Sequence, residues 1–167
     1  MKKGNNVVLI GMPGAGKSTI GVILAKVKGY NFVDPDLLIQ EKEGRLLQEI
    51  IASEGIDGFI KIEEEVNASI DCQKTVIATG GSVVYGEKAM EHLREIGTVV
   101  YLKLSLDVLK NRLGDLEVRG VVLKEGQTLT DLYNERVPLY EKYADVTIDE
   151  EGQCVEQTVK SLLEILK

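Results

Sequence analysis

A single histidine, two cysteines and no long apolar run set the first limits on this chain. With only His92 available, a catalytic triad built on histidine has little to work with. His92 falls in the helical-looking run from Glu87 to Ile96 and reads as a surface or packing residue. Cys72 and Cys154 are far apart, form no C-x-x-C pair and have no histidine cluster beside them, so they read as buried or incidental thiols rather than zinc ligands. No apolar stretch reaches the ~18 residues of a membrane span. The leading segment Met1-Lys2-Lys3-Gly4-Asn5-Asn6 runs directly into a short apolar strand and has neither the apolar core nor the cleavage site of a signal peptide. A soluble, cytoplasmic protein is expected. Positive charge is short as well: 20 Lys and Arg stand against 27 Asp and Glu, a net charge of −7. That balance argues against wrapping nucleic acid or docking on an anionic membrane. Any anionic ligand must be met by local positive groups.

What is present is an alternation of apolar runs and helical periodicity. Over 167 residues, 44% of them hydrophobic, the chain can bury one sizeable core, so residues 1–167 read as one domain. Val7 to Ile10 is a short apolar run ending at Gly11, the pattern of a strand buried on both faces. Helical residues follow from Lys17 to about Lys28, with Ile20, Ile23, Leu24 and Val27 spaced for one face. Tyr30 to Val33 reads as a second strand. Residues 37–71 hold two or three helices, broken at Gly44 and at Gly55 to Gly58. Further strands are expected at Thr75–Thr79, Thr98–Leu102 and Val146–Ile148. Further helices are expected at Glu87–Ile96, Leu106–Leu113, Leu129–Tyr143 and Cys154–Leu166. Strands alternating with helices give an α/β fold with a central parallel sheet of about five strands and helices on both faces. No repeat, low-complexity tract or linker interrupts it.

Between the first strand and the first helix lies Gly11-Met12-Pro13-Gly14-Ala15-Gly16-Lys17-Ser18, which satisfies G-x-x-x-x-G-K-[ST] in the strand–loop–helix setting its mechanism requires. Glycines let the backbone curl so that successive N–H groups, from Gly14 through Thr19, converge on phosphate oxygens, and the helix start adds its positive end. Lys17 can reach the β- and γ-phosphates, and the Ser18 hydroxyl can ligate Mg²⁺. ATP and Mg²⁺ are therefore the expected cofactors.

Asp34 and Asp36 bracket Pro35 at the end of the second strand. Read as extended chain, they project to one face roughly 6 to 7 Å apart, and strand carboxyl ends are where ligands sit in parallel sheets. One carboxylate could orient water on Mg²⁺ while the other accepts a proton from an attacking hydroxyl. The bland alternative is that Asp36 caps the next helix and Asp34 is a solvated loop residue.

Phe32-Val33-Asp34-Pro35-Asp36, Ala78-Thr79-Gly80-Gly81 and Glu135-Arg136-Val137-Pro138-Leu139-Tyr140, taken with the phosphate loop, resemble shikimate kinase in order over almost the whole chain. The resemblance implies a three-layer P-loop kinase fold and a role in aromatic amino acid biosynthesis. It implies Asp34 in the second shell of Mg²⁺, Asp36 binding and activating the substrate hydroxyl, Gly80 and Gly81 facing the substrate with their backbone, and Arg136 gripping its carboxylate. Arg112 matches the family's adenine-side arginine. Arg119 matches a lid arginine that stabilises transferring charge, within a lid over 114–126 that excludes water. The substrate-binding helices would be those of residues 37–71. A monomer acting on a small-molecule hydroxyl is expected.

Departures from the family pattern gather on the acceptor side. Gly55 to Glu63 resembles G-E-x-x-F-R-x-x-E, but Ile56 replaces the glutamate and Ile60 stands where a carboxylate-binding arginine is expected. Ser82 occupies the third glycine's place, and the lid reads Arg119-Gly120-Val121 rather than R-P-L. Removing a bidentate guanidinium forfeits charge-assisted hydrogen bonds of about 1.5 to 3 kcal/mol each, so shikimate binding weakens unless another cation substitutes. Lys61 projects about 100° away from position 60 on a helix and is a poor substitute. The expected activity is ATP-dependent phosphorylation of a hydroxyl on a small polar metabolite, shikimate to shikimate 3-phosphate first. The alternatives are a kinase of a different small hydroxy compound and a non-catalytic nucleotide-binding module, although the guanine-reading N-K-x-D motif of a GTP switch is missing.

Overall fold

The computed structural model describes residues 4–113 and 125–166. Its elements run β1 (Asn6–Ile10), α1 (Lys17–Lys28), β2 (Asn31–Val33), α2 (Pro35–Glu43), α3 (Leu47–Ala68), β3 (Thr75–Ala78), α4 (Glu87–Ile96), β4 (Gly97–Lys103), α5 (Leu106–Arg112), α6 (Leu129–Tyr143), β5 (Val146–Asp149) and α7 (Val155–Ile165), with a short 3₁₀ turn over Val83–Tyr85. Each element expected from the sequence is present within a residue or two at its ends, except that the helical segment expected to reach residue 71 stops at Ala68. Gly120, Val121 and residues 114–124 of the expected lid lie outside the described residues, as does Arg119.

The five strands form one parallel sheet in the order β2-β3-β1-β4-β5. The strand centred in that order is β1, whose five residues are all buried; it pairs Val8 with Ile77 of β3 on one side and with Val99 of β4 on the other. A strand with neighbours on both edges and helices over both faces has no solvent side, which is why its sequence is a continuous apolar run rather than an alternation. Helices α1 and α7 pack together on β1, β3 and β5, while α4 and α6 lie against β4. One large core of aliphatic side chains fills the space between sheet and helices. A second, smaller cluster of Ile39, Ile50, Phe59 and Val66 joins α2 to α3 beside the sheet edge.

Local chemistry sets the joints. Gly29 and Gly44 end α1 and α2 in left-handed conformations, at φ 70° and 65°, a region that favours residues without a Cβ. Thr128 and Asp131 cap α6 reciprocally. Helix α3 bends at Gly55, φ 76°, so two helical pieces follow one another in the segment between β2 and β3. Asn6 closes the amino-terminal edge of the sheet: its amide donates to Cys72 O and Ile96 O, both at 2.8 Å, and accepts from Thr75 N at 3.0 Å. Because all strands are parallel, their carboxyl ends open on one side, and the loops leaving β1, β2, β3 and β5 meet there.

Candidate active site

The loop after β1 has three glycines at positive φ, Gly11 at 152°, Gly14 at 87° and Gly16 at 86°. Gly16 immediately precedes α1, so the first amides of the helix point into the loop. Lys17 is 8% exposed, and its ammonium donates to Gly11 O at 2.7 Å and Met12 O at 2.9 Å. Burial pulls its pKa down to about 8, against the opposing pull of Asp36, Glu150 and Asp34. Arg112, at the end of α5, donates from Nη1 to Gly14 O at 3.0 Å and so packs on the far lip of the loop.

The acid pair is arranged differently from an extended strand. Asp34 is the N-cap of α2, its Oδ1 accepting from Asp36 N at 2.9 Å, and Pro35 begins the helix. The roles in the bland reading are thus exchanged: Asp34 caps, and Asp36 sits in the first helical turn. A proline at the first helical position fixes this geometry, because its ring pre-sets φ and it has no N–H to lose. Asp36 is pushed up to about 6, first by burial and then by the neighbouring charge of Asp34, with Lys17 opposing.

Gly80 and Gly81 form the floor between these groups. A Cβ built on Gly80 would lie 2.9 Å from Asp36 Oδ1 and 3.0 Å from Glu63 Oε2; one built on Gly81 would lie 2.8 Å from Arg136 Nη1. The floor therefore presents two carboxyl groups over one glycine and a guanidinium over the next. Thr79, just before it, is tied to β1 by Oγ1 donating to Leu9 O at 2.8 Å. Arg136 is 1% exposed; its Nε donates to Tyr85 Oη at 3.3 Å and its guanidinium lies 5.3 Å from that ring's centre. Tyr140, one turn further along α6, donates to Gly81 O at 2.6 Å and stacks on Tyr101. These groups border a cavity of about 560 Å³ that runs from Arg112 and the phosphate loop to Arg136, with Phe59 and Leu47 as its apolar wall.

Of the expected site residues within the described segments, Gly14, Gly16, Lys17, Ser18, Thr19, Arg112, Asp36, Gly80, Gly81 and Arg136 border this cavity, while Ala15 is buried in the core and Asp34 caps the helix that carries Asp36. Ile60 does not line it: with Ile56 it packs onto the cluster of Ile39, Ile50 and Phe59. Lys61 is exposed. Ser82 is buried and its hydroxyl donates to Glu63 Oε1 at 2.6 Å. Three contributors were not singled out from the sequence. Tyr85 braces Arg136. Phe59 lines the wall. Glu150, 6% exposed after β5, is raised to about 7 by burial, with Arg112 and Lys17 opposing. Only Phe59 carried a signal, as the aromatic of the Gly55 to Glu63 pattern.

The donor set suits magnesium. Ser18 and Asp34 offer hard oxygens, and no group of three His, Cys, Asp or Glu side chains that could cage an ion occurs among the described residues. A magnesium ion that keeps most of its waters and rides on phosphates needs only one or two protein ligands.

A parallel sheet with a glycine-rich phosphate loop, a buried lysine over that loop and a carboxylate facing it across the cavity defines an ATP-dependent small-molecule kinase of the P-loop class. The shikimate kinase family model matches residues 13–167. The shikimate kinase of Thermodesulfovibrio yellowstonii is 37% identical over 95% of this chain and 92% of its own. That of Thiobacillus denitrificans is 38% identical over 100% of this chain and 94% of its own. Among solved structures, shikimate kinase from Acinetobacter baumannii in complex with shikimate superposes with a TM-score of 0.82 at 28% identity, covering 98% of this chain and 93% of that one. The chain belongs to the shikimate kinase family.

Proposed function

We propose that this kinase transfers the γ-phosphoryl group of ATP to a hydroxyl of shikimate, giving shikimate 3-phosphate. The observation that carries this reading is the order of groups along one cavity: phosphate loop and Lys17, then Asp36, then Gly80, Gly81 and Arg136. A donor site and an acceptor site abut, which in-line transfer requires.

In this reading the amides from Gly14 to Thr19 and the Lys17 ammonium hold the phosphates, and Arg112 borders the nucleotide at the far lip. Ser18, and Asp34 through water, would hold magnesium, which would supply neutralisation of phosphate charge. Asp36 accepts the proton of the attacking hydroxyl; a base raised to about 6 is still mostly ionised at neutral pH. Arg136 takes the acceptor's carboxylate as a buried guanidinium fixed by Tyr85. Arg119, by family resemblance, adds positive charge over the transferring group.

The test is ADP release with MgCl₂, ATP and shikimate, against a panel of other hydroxy acids and polyols, with Asp36→Asn as control. Saturable, shikimate-dependent turnover that the control loses by at least about a hundredfold supports the reading. Turnover with another panel member and none with shikimate overturns it.

A further inference from the structure

Glu63 stands in the acceptor half of the cavity without the strong partner its burial calls for. It is 1% exposed, and Oε1 accepts a hydrogen bond from Ser82 at 2.6 Å. Oε2 faces the floor, 3.0 Å from the point where a Gly80 Cβ would sit, on the same spot that Asp36 Oδ1 approaches to 2.9 Å. Its own helix brings it no cation: the residue three positions before it is Ile60, packed in the apolar cluster, and Lys61 points to solvent. The groups facing it from other elements are Asp36 on α2, Lys17 on α1, and Arg136 and Tyr140 on α6. Two carboxyls over one glycine cannot both carry charge cheaply.

We propose, building on the shikimate reading above, that Glu63 is an acceptor-contacting specificity residue: held by Ser82, its carboxylic acid donates a hydrogen bond to the hydroxyl beside the attacked one, while Asp36 accepts from the attacked hydroxyl. The pair reads two adjacent hydroxyls over Gly80, and Arg136 reads the carboxylate one residue along, over Gly81. Placing the acceptor's carboxylate over Gly80 instead would set it against Asp36.

The proton balance fits. Burial raises Glu63 to about 8, with the Ser82 hydrogen bond opposing, the charge of Asp36 adding to the rise, and Arg136 and Lys17 opposing. Below that value Glu63 keeps its proton and can donate to one hydroxyl, while the Asp36 carboxyl on the same spot over Gly80 accepts from its neighbour. In this chain Ser82, placed where the family has its third glycine, supplies the hydroxyl contact to the Glu63 carboxyl.

The experiment measures KM for shikimate and for ATP from pH 6.5 to about 9.5 in the parent, Glu63→Gln and Glu63→Ala, and repeats the acceptor measurement with a shikimate analogue lacking the hydroxyl next to the attacked one. The parent's shikimate KM should rise about tenfold as Glu63 ionises, the size of one lost hydrogen bond. Glutamine donates at every pH, so Glu63→Gln should show a flat acceptor KM over that range. Glu63→Ala should raise the shikimate KM about tenfold and lose the parent's preference for shikimate over the analogue. The ATP KM, read in parallel, reports changes at the phosphate loop and separates them from changes on the acceptor side. A Glu63→Gln profile that parallels the parent's, or a Glu63→Ala enzyme that keeps the parent's preference, overturns the inference while leaving the kinase assignment standing. A parent that phosphorylates no shikimate overturns the assignment, and the inference with it.

Discussion

Gly80→Ala tests the geometry of the acceptor floor most directly. The new methyl would sit 2.9 Å from Asp36 Oδ1 and 3.0 Å from Glu63 Oε2, where ordinary contact begins near 3.4 Å. Gly80 has no positive φ, so the backbone accepts alanine and the strain falls on the two carboxyls. Both are ends of side chains and can give way, but each must move by about half an ångström. A displacement of about 1 Å at a reacting centre costs about a hundredfold in rate, so half of that costs about tenfold. The expected outcome is a fall of about tenfold in kcat/KM for shikimate, equivalent to about 1.4 kcal/mol of transition-state binding. The ATP KM should stay within about twofold, because the phosphate loop is not touched. Initial rates of ADP release, varied separately in each substrate, read both. Gly29→Ala is the control: its φ of 70° is strained for alanine but no atom lies within 4 Å, so it should lower stability by about 1 kcal/mol and leave both kinetic constants alone. A folded Gly80→Ala enzyme with parental kcat/KM for shikimate would refute the claim that Asp36 and Glu63 bound the acceptor over this glycine.

Other outcomes follow from single contacts. Asp34→Asn keeps a capping oxygen for Asp36 N and should hold its melting temperature while needing more Mg²⁺ for half-maximal rate; Asp34→Ala should in addition lose about 1 kcal/mol of stability. Tyr140→Phe removes the donor to Gly81 O and should cost about 1 to 3 kcal/mol in urea unfolding, with a raised shikimate KM because Gly81 and Arg136 share that wall. Glu63 holds a proton in the folded chain up to about pH 8 that an unfolded glutamate releases near its ordinary 4.5. Stability should therefore fall as pH rises between those values, and Glu63→Gln should gain more in melting temperature at pH 8 than at pH 5.

The phosphate loop, the strand and helix order and the parallel sheet were legible in the sequence because each depends on neighbours within a few residues. The run Val7 to Ile10 has to be buried on both faces, and the loop from Gly11 to Ser18 carries its own backbone geometry. Asp34 and Asp36 were recognisable as a pair, yet reading them as strand residues missed that Pro35 starts a helix there, which makes Asp34 the cap. That difference is local but turns on where one element stops, and Asn31–Val33 is only three residues long. The departures at Ile56, Ile60 and Ser82 were visible as letters; their meaning was not. Only the sheet order, which inserts β3 between β1 and β2, brings the Gly80–Gly81 floor beside both Lys17 and Asp36. Only packing sends Ile60 into the apolar cluster and joins Ser82 to Glu63, 19 residues earlier. Arg136 and Tyr85, 51 residues apart, meet in the same way. Pairings of that kind leave no periodicity in the chain, because they are fixed by which helices share a sheet face and not by spacing along the backbone.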